Sequence, residues 1–111
     1  GVLHHIPDDA DKLRLLQALS ARLAPGAPFI LACNRHRYDS EPLFLEAWAM
    51  RWRMAGADEA AVHAKLGKIR QGAVPPASEE AVEQMLAQAG FVQAKRFFSS
   101  LFWCAWIAAK A

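Results

Sequence analysis

Apolar and polar positions along the chain fall into blocks that predict helices and strands in alternation. Leucines recur at helical spacing between Pro7-Asp8-Asp9 and Pro25-Gly26, which predicts a helix over about residues 8–23 with Lys12 and Arg14 off its apolar stripe. The continuous apolar run that follows, between turn signals, predicts a strand over residues 28–33. Such a run is typical of a strand buried on both faces in a parallel sheet covered by helices.

Helical patterns also fill the middle of the chain. Ser40, Asp58 and Ser78 each precede such a pattern, and each is a residue type that caps helices. The first of these helices carries tryptophans on its apolar face, and the second carries Lys65, Lys68 and Arg70, which we interpret as a solvated face. Gly90 stands where the third helix should end.

The last part of the chain predicts an antiparallel hairpin. Residues 91–98 and 101–109 read as strands, with Ser99-Ser100 as the turn. The opening Gly1-Val2-Leu3 reads as the last residues of a buried strand. The predicted fold class is therefore α/β, with about four helices around a partial sheet.

Composition narrows the class of protein. The chain has 111 residues, is 54% hydrophobic and carries a net charge of +2, which argues against disorder and against a strong field for nucleic acid. The opening residues lack the basic character of a signal peptide, and no apolar run is long enough to span a membrane. The two cysteines, Cys33 and Cys104, do not form a disulfide scaffold. We expect a reduced, cytoplasmic chain without a membrane partner, of a length that suits one domain or half of one.

Few residues suggest chemistry directly. His4 and His5 are too far in sequence from His36 and His63 to suggest a metal site, so none is expected. One interpretation makes them pocket-lining residues, with His5 as a general base, and the other packs one of them under the first helix. Neither cysteine lies in a catalytic motif, and no catalytic residue is assigned.

A basic loop and a pair of tryptophans are the other candidates. Arg35, Arg37 and Tyr38 follow the carboxyl end of a predicted strand, where α/β sheets place ligand contacts; the loop either faces an anionic acceptor or is solvated. Trp48 and Trp52 either cap an acceptor pocket, stacking on a base, or belong to the core or a subunit interface. We assign Arg35, Tyr38, Trp48 and Trp52 as candidate substrate contacts.

Three stretches of this sequence, in this order, resemble the C-terminal half of class I S-adenosylmethionine (SAM) dependent methyltransferases. Residues 2–8 (VLHHIPD) are similar to the segment that ends the family's fourth strand. Residues 23–31 (LAPGAPFIL) are similar to the turn into its fifth strand, except that Ala27 stands where the family usually has a second glycine. Residues 89–91 (AGF) and 106–110 (WIAAK) are similar to the last helix end and the closing hairpin.

The resemblance implies SAM as the cofactor, methyl transfer to a small molecule or a tRNA base, and contacts near the methyl donor from Leu3, His4 and His5. The middle of the chain looks closest to the carboxy-SAM synthase branch, although no arginine clearly matches the one that holds a carboxylated cofactor there. The family's glycine-rich loop is not in this sequence, which has no G-x-G-x-x-G motif. We therefore expect residues 1–111 to be the C-terminal portion of a single domain that lacks its cofactor-binding half, and to be inactive and unable to bind SAM alone.

A partial sheet of this kind exposes an apolar edge strand. Such edges pair with other chains, so we expect a homodimer or a domain swap through the sheet edge or the aromatic helices. Two hypotheses follow. The chain is either a methyltransferase portion that supplies the acceptor side of the pocket, or a non-catalytic methyltransferase-like module that serves interaction or dimerisation.

Overall fold

The computed structural model describes residues 2–111 as four α-helices and a three-stranded sheet, which confirms the α/β class and the expected number of helices. Two short 3₁₀ helices, Leu3–His5 and Tyr38–Ser40, precede α1 and α2. In chain order the main elements are α1 (Asp9–Ser20), β1 (Pro28–Asn34), α2 (Pro42–Met54), α3 (Glu59–Gly72), α4 (Glu79–Gln88), β2 (Phe91–Ser100) and β3 (Trp103–Lys110).

The sheet has the order β1-β3-β2, and both pairings are antiparallel. Since β3 runs opposite to each of its neighbours, β1 and β2 point in the same direction. The expected parallel pairing of residues 28–33 is therefore wrong for residues 2–111: β1 pairs with β3, which runs opposite to it. The expected burial on both faces is also wrong, because exposed and half-buried positions alternate in β1 up to Ala32.

The hairpin between β2 and β3 is confirmed, but its predicted turn is not. Ser99 and Ser100 belong to β2, and the chain reverses at Leu101 and Phe102. Leu101 adopts a positive φ of 51°, which is unusual for a residue with a branched side chain. This turn places the side chain of Phe102 in full burial, and that packing is what outweighs the local preference of serine for turns.

One face of the sheet packs against α1 and α4 and forms the main core. Leu16 of α1 and Leu86 of α4 are buried there against Trp106 of β3, and the rings of Phe29 and Phe91 stack 4.5 Å apart. On the opposite face the register places Ile30 beside Ile107, and both side chains remain largely exposed. The described residues thus leave this face open around Ile30 and Ile107, whereas Asn34 and Ala105, further along the same face, are buried.

Two of the three predicted caps, Asp58 and Ser78, are confirmed, and α1 is capped by Asp8, the first of the two aspartates at its predicted start. The side chains of Asp8, Asp58 and Ser78 each accept a hydrogen bond from a backbone N–H in the first turn of their helix. Ser40 does not cap α2; its hydroxyl donates to the carbonyl of Arg37 instead. Gly90 ends α4 with φ +97°, as expected for a glycine at this position.

The start of the chain differs from the prediction. Val2 lies outside any strand and Leu3 belongs to a 3₁₀ helix, while Gly1 lies outside the described residues. The backbone of His4 accepts a hydrogen bond from the N–H of Val74 (2.7 Å), a partner that lies near the end of α3. This contact with a distant loop, rather than pairing with β1, sets the local conformation.

Candidate functional site

A cleft lies beyond the carboxyl end of β1, between the first residues, the basic loop and the end of α3. It consists of two cavities of about 340 and 230 Å³, which adjoin because Tyr38 and Ala73 line both. We name it the Tyr38 cleft. The larger part is also lined by Arg37, Asp39, Arg70, Val74 and Pro75, and the smaller part by His4, His5, Lys68, Ile69 and Gly72.

Tyr38 is fixed by a buried polar contact. The Nδ2 of Asn34, the last residue of β1, donates to the Tyr38 hydroxyl at 3.1 Å. Asn34 is almost fully buried, and within residues 2–111 its Oδ1 has no hydrogen-bond partner. Burial raises the pKa of Tyr38, although the contact with Asn34 acts in the opposite direction. The phenol therefore remains protonated at neutral pH and can donate a hydrogen bond.

His4 and His5 line the smaller part of the cleft. Their ring centroids lie 4.0 Å apart, and the ring of Trp103 meets that of His4 edge-on at 5.7 Å. Burial and the nearby charges of His5 and Lys12 lower the pKa of His4. The Nδ1 of His4 is buried without a partner among the described residues. A neutral imidazole at this position can donate or accept one hydrogen bond, depending on its tautomer.

The third residue predicted beside the cofactor points elsewhere. The side chain of Leu3 is 2% exposed and belongs to the core formed with α1 and α4. A contact from Leu3 to a ligand would therefore have to come from its backbone. The assignment of Leu3, His4 and His5 to a cofactor stays a prediction, with the two imidazoles as the groups that line a cavity.

Arg35 is held within the protein. Its Nε donates to the carbonyl of Leu101 (2.7 Å), its Nη1 contacts Glu79 (2.9 Å), and its guanidinium lies over the ring of Phe44. Glu79 also contacts Arg96 at 2.8 Å. Burial tends to raise the pKa of Glu79, but the hydrogen bonds and charges of the two arginines outweigh it and the pKa is lowered. The charge of Arg35 is thus already neutralised by an internal partner.

The tryptophans of α2 join an aromatic cluster below the loop. Trp48 packs against Phe102 with ring centroids 4.9 Å apart and lies 6.0 Å from Tyr38. Trp52 lies 6.3 Å from Trp48, and the ammonium of Lys65 sits over its ring. Trp48 therefore supports Tyr38 from behind. The structure brings Tyr38 and Trp48 together, but neither tryptophan lines the two cavities of the cleft.

Sequence reasoning missed part of the cleft. Arg37 belonged to the predicted loop, but Arg70 was expected on a solvated helix face and Asp39 was not considered. No periodic pattern shows that the end of α3 folds back onto the loop after β1. The proline pair Pro75-Pro76 was the available hint, because such a pair marks a turn or loop after α3, beside the cleft.

Other kinds of site find no support among residues 2–111. That part of the chain contains no cluster of three or more His, Cys, Asp or Glu side chains suited to hold a metal ion. Burial raises the pKa of Cys33 to about 12 and also raises that of Cys104, which opposes formation of a reactive thiolate. None of the helices described has the length and apolar character needed to cross a membrane.

Comparisons with known proteins reach only the fold. No protein-family profile matches the chain, and no curated protein is similar to it in sequence. A solved structure described as a possible exported protein from Bordetella parapertussis is similar to it, with a TM-score of 0.62 at 17% identity. The similarity covers 99% of this chain and 36% of that protein, so the chain spans about a third of the length of the structure it matches. The chain therefore shares the fold of one part of a larger solved protein.

Proposed function

We propose that the chain is the trailing part of a class I SAM-dependent methyltransferase domain, which in its complete form methylates a small molecule or a tRNA base. The observation that carries the proposal is the sheet: β3 lies antiparallel between two strands of common direction, and β1 keeps one edge unpaired among residues 2–111. This arrangement supports a Rossmann-like sheet that continues beyond β1.

The unpaired edge of β1 is suited to another strand. The N–H of Arg35 donates to Phe102, and the carbonyl of Ala27 accepts from Lys110. Because alternate residues of a strand direct their backbone groups to the same side, Ile30 and Ala32 present theirs to the free edge. A strand preceding α1 and parallel to β1 would make α1 the helix of a right-handed crossover, which is the favoured connection.

An apolar groove runs beside the same edge. It has a volume of about 420 Å³ and is lined by residues of α1 and β1 together with Val2 and Leu3. Its walls include Leu15, Leu19, Ile30 and Leu31, and it contains no charged side chain. A buried strand of a parallel sheet is typically apolar on both faces, so its side chains match this groove.

The residues of this chain do not fit SAM by themselves. Binding of an adenosyl group with a charged tail needs close approach by backbone N–H groups and a carboxylate for the ribose, as in dinucleotide folds. The sequence has no glycine-rich loop, and the Leu3 side chain is buried in the core. The imidazoles of His4 and His5 supply at most one wall of a pocket. For the complete protein, therefore, this chain's contribution is the acceptor side.

The test compares the 111-residue chain with a longer protein that includes the codons preceding Gly1 in its gene. Isothermal titration calorimetry with SAM should show binding by the longer protein and none by residues 1–111. Carboxy-SAM as a second titrant distinguishes the two donors. A longer protein that also fails to bind either compound, while its circular dichroism spectrum shows a folded state, would exclude the methyltransferase function.

The second candidate is a non-catalytic module that dimerises. It is favoured by the exposed apolar side chains of Ile30 and Ile107 on the uncovered sheet face and of Leu43, Met50 and Met54 on α2. In this case the 111-residue chain should be a homodimer or a domain-swapped dimer by light scattering after gel filtration. Ile30→Lys should then give a monomer if the sheet edge is the interface, and Leu43→Lys should do so if α2 is the interface. A monomeric wild type would contradict this candidate.

We also propose a cytoplasmic location, supported by two buried cysteines without a disulfide. The solved protein of similar fold is described as a possible exported protein, so export is the alternative. Cell fractionation of the tagged full-length protein distinguishes the two. Recovery in the extracytoplasmic fraction would overturn the proposal.

A further inference from the structure

We infer that the Tyr38 cleft is a binding site for the carboxylate or phosphate group of a small molecule, recognised by Arg37 and Arg70. The inference goes beyond methyl transfer and does not depend on it, because it rests on the charges and shape of the cleft in this chain alone. An anionic group is the ligand chemistry that paired guanidinium groups recognise best.

The charges of the cleft are the first argument. Arg37 stands in the loop after β1 and Arg70 in the last turn of α3, and both are exposed and line the larger cavity. Within residues 2–111 neither guanidinium has a salt-bridge partner, whereas Arg35, Arg53 and Arg96 are each paired with a glutamate. Arg22 and Arg51 are unpaired among the described residues as well, but neither lines the cleft, so Arg37 and Arg70 are the free guanidinium groups found there.

The cleft also has a negative group, which sets the balance of charge. Asp39 lines the same cavity as Arg37 and Arg70, so this cavity is lined by two positive side chains and one negative side chain. Lys68 lines the adjoining cavity and adds a further positive charge. The sum favours an anion over a cation. The Asp39 carboxylate further suits a ligand that carries a hydroxyl or an N–H donor beside its anionic group.

Shape and hydrogen bonding argue for a small ligand. The larger cavity measures about 340 Å³, which falls in the range typical of small-molecule sites. Ala73, Val74 and Pro75 provide an apolar wall, and Tyr38, whose hydroxyl is bound to the buried Asn34, provides a fixed aromatic one. RNA binding depends on neutralising many phosphates, and a net charge of +2 over the chain gives no strong field for such a polyanion.

The test is a titration of the ¹⁵N-labelled 111-residue chain at constant ionic strength, in which the amide chemical shifts report binding. Inorganic phosphate and succinate are the two probes, which separate a phosphate from a carboxylate preference. We expect shifts concentrated at the amides of residues 37–39, Ala73 and Val74, with saturation by at least one probe. Arg37→Gln and Arg70→Gln should each weaken binding about tenfold, the usual loss for one charge-assisted contact.

Arg51→Gln is the matched control, since Arg51 is exposed on α2 and lines neither cavity of the cleft. Its affinity for the better probe should stay within about twofold of the wild type. Equal weakening by all three substitutions would show a general charge effect and overturn the site, as would shifts spread over the whole surface or no saturation. A single-stranded RNA oligonucleotide is the last probe. If it binds far more tightly than phosphate or succinate, and R51Q weakens its binding as much as R37Q and R70Q do, the ligand is a polynucleotide and the small-molecule site is overturned.

Discussion

The ammonium of Lys12 donates to the carbonyl of Val74 at 2.7 Å, although the two residues are 62 positions apart. No part of the Lys12 side chain is exposed, and its second partner is the carboxylate of Asp9 at 3.4 Å. Val74 lines the Tyr38 cleft, and its N–H donates to the carbonyl of His4. One buried lysine thus ties α1 to the segment that forms the apolar wall of the cleft.

Replacement of Lys12 tests this tie. Lys12→Ala removes the ammonium that donates to the Val74 carbonyl and also the buried methylene groups of the side chain. It should lower the free energy of unfolding by about 2–3 kcal/mol. Lys12→Met keeps the stem and loses only the polar contact, so a smaller loss of about 1 kcal/mol is expected. Both are measured by urea denaturation. Arg14→Ala, in an exposed ion pair with Asp11 on the same helix, is the control; a loss no larger than that of the control would contradict the role of Lys12.

Lys12 also illustrates what the sequence does not reveal. The leucine pattern of α1 correctly predicts a helix, and the pair Asp8-Asp9 indicates where it begins, because periodicity and capping depend on neighbouring residues. The same pattern places Lys12 off the apolar stripe, since nothing within α1 shows that a distant loop will cover it. The turn at Leu101 escaped prediction for a similar reason: burial of Phe102 among the side chains of α2 decides it, and those lie far away in sequence.

The candidate site also has a part that neighbouring residues predict and a part that distant contacts decide. The loop after β1 was predicted as a ligand position because a strand end followed by Arg35, Arg37 and Tyr38 is a local pattern. Which arginine is available was not predictable. Glu79, 44 positions away from Arg35, neutralises that residue and leaves Arg37 exposed. Pairing between remote charges depends on the packed fold, and the sequence contains many acidic residues that could have served.

Glu79 makes the free energy of unfolding depend on pH in the acidic range. Its pKa is lowered in the folded protein by Arg35 and Arg96, against the opposing effect of burial. A carboxyl group with a lowered folded pKa stabilises the fold above its unfolded pKa, and this contribution is lost as the pH falls through the folded pKa. Glu79→Gln should therefore lower stability at neutral pH and reduce the further loss between neutral pH and acid. Urea denaturation at several pH values measures both.

The matched control for this series is Glu80→Gln, a neighbouring and exposed carboxyl group on the first turn of α4. The control should keep the acid dependence of the wild type. If Glu79→Gln loses stability in acid as steeply as the wild type, the ion pairs with Arg35 and Arg96 do not contribute in solution.

Tyr38 allows a direct measurement in the cleft because it is the only tyrosine in the sequence. Burial raises its pKa above the ordinary value of 10.0, so the ultraviolet absorbance of the phenolate should appear at higher pH in the folded chain than in urea. Asn34→Ala removes the contact that favours the phenolate and should raise the midpoint further. A folded-state midpoint at or below that of the unfolded chain would show that the hydroxyl is not buried as described.

Cys33 gives a complementary test at alkaline pH. Burial raises the pKa of its thiol from 9.0 to about 12, so the unfolded state releases this proton first as the pH rises. Stability is therefore full below the unfolded pKa and is lost as the pH rises towards the folded pKa. One pH unit above the unfolded pKa the loss amounts to about 1.4 kcal/mol. Cys33→Ala should lack this part of the alkaline loss, and the difference between the two unfolding curves at neutral and alkaline pH measures it.

The reactivity of the two thiols towards Ellman's reagent tests the same packing. Both thiols should react slowly in the native chain and at once in urea, because Cys104 is buried beside Cys33 on the paired strand. Rapid reaction of either thiol in the native chain would mean that the core face of β1 and β3 opens readily, and would contradict the packing described for it.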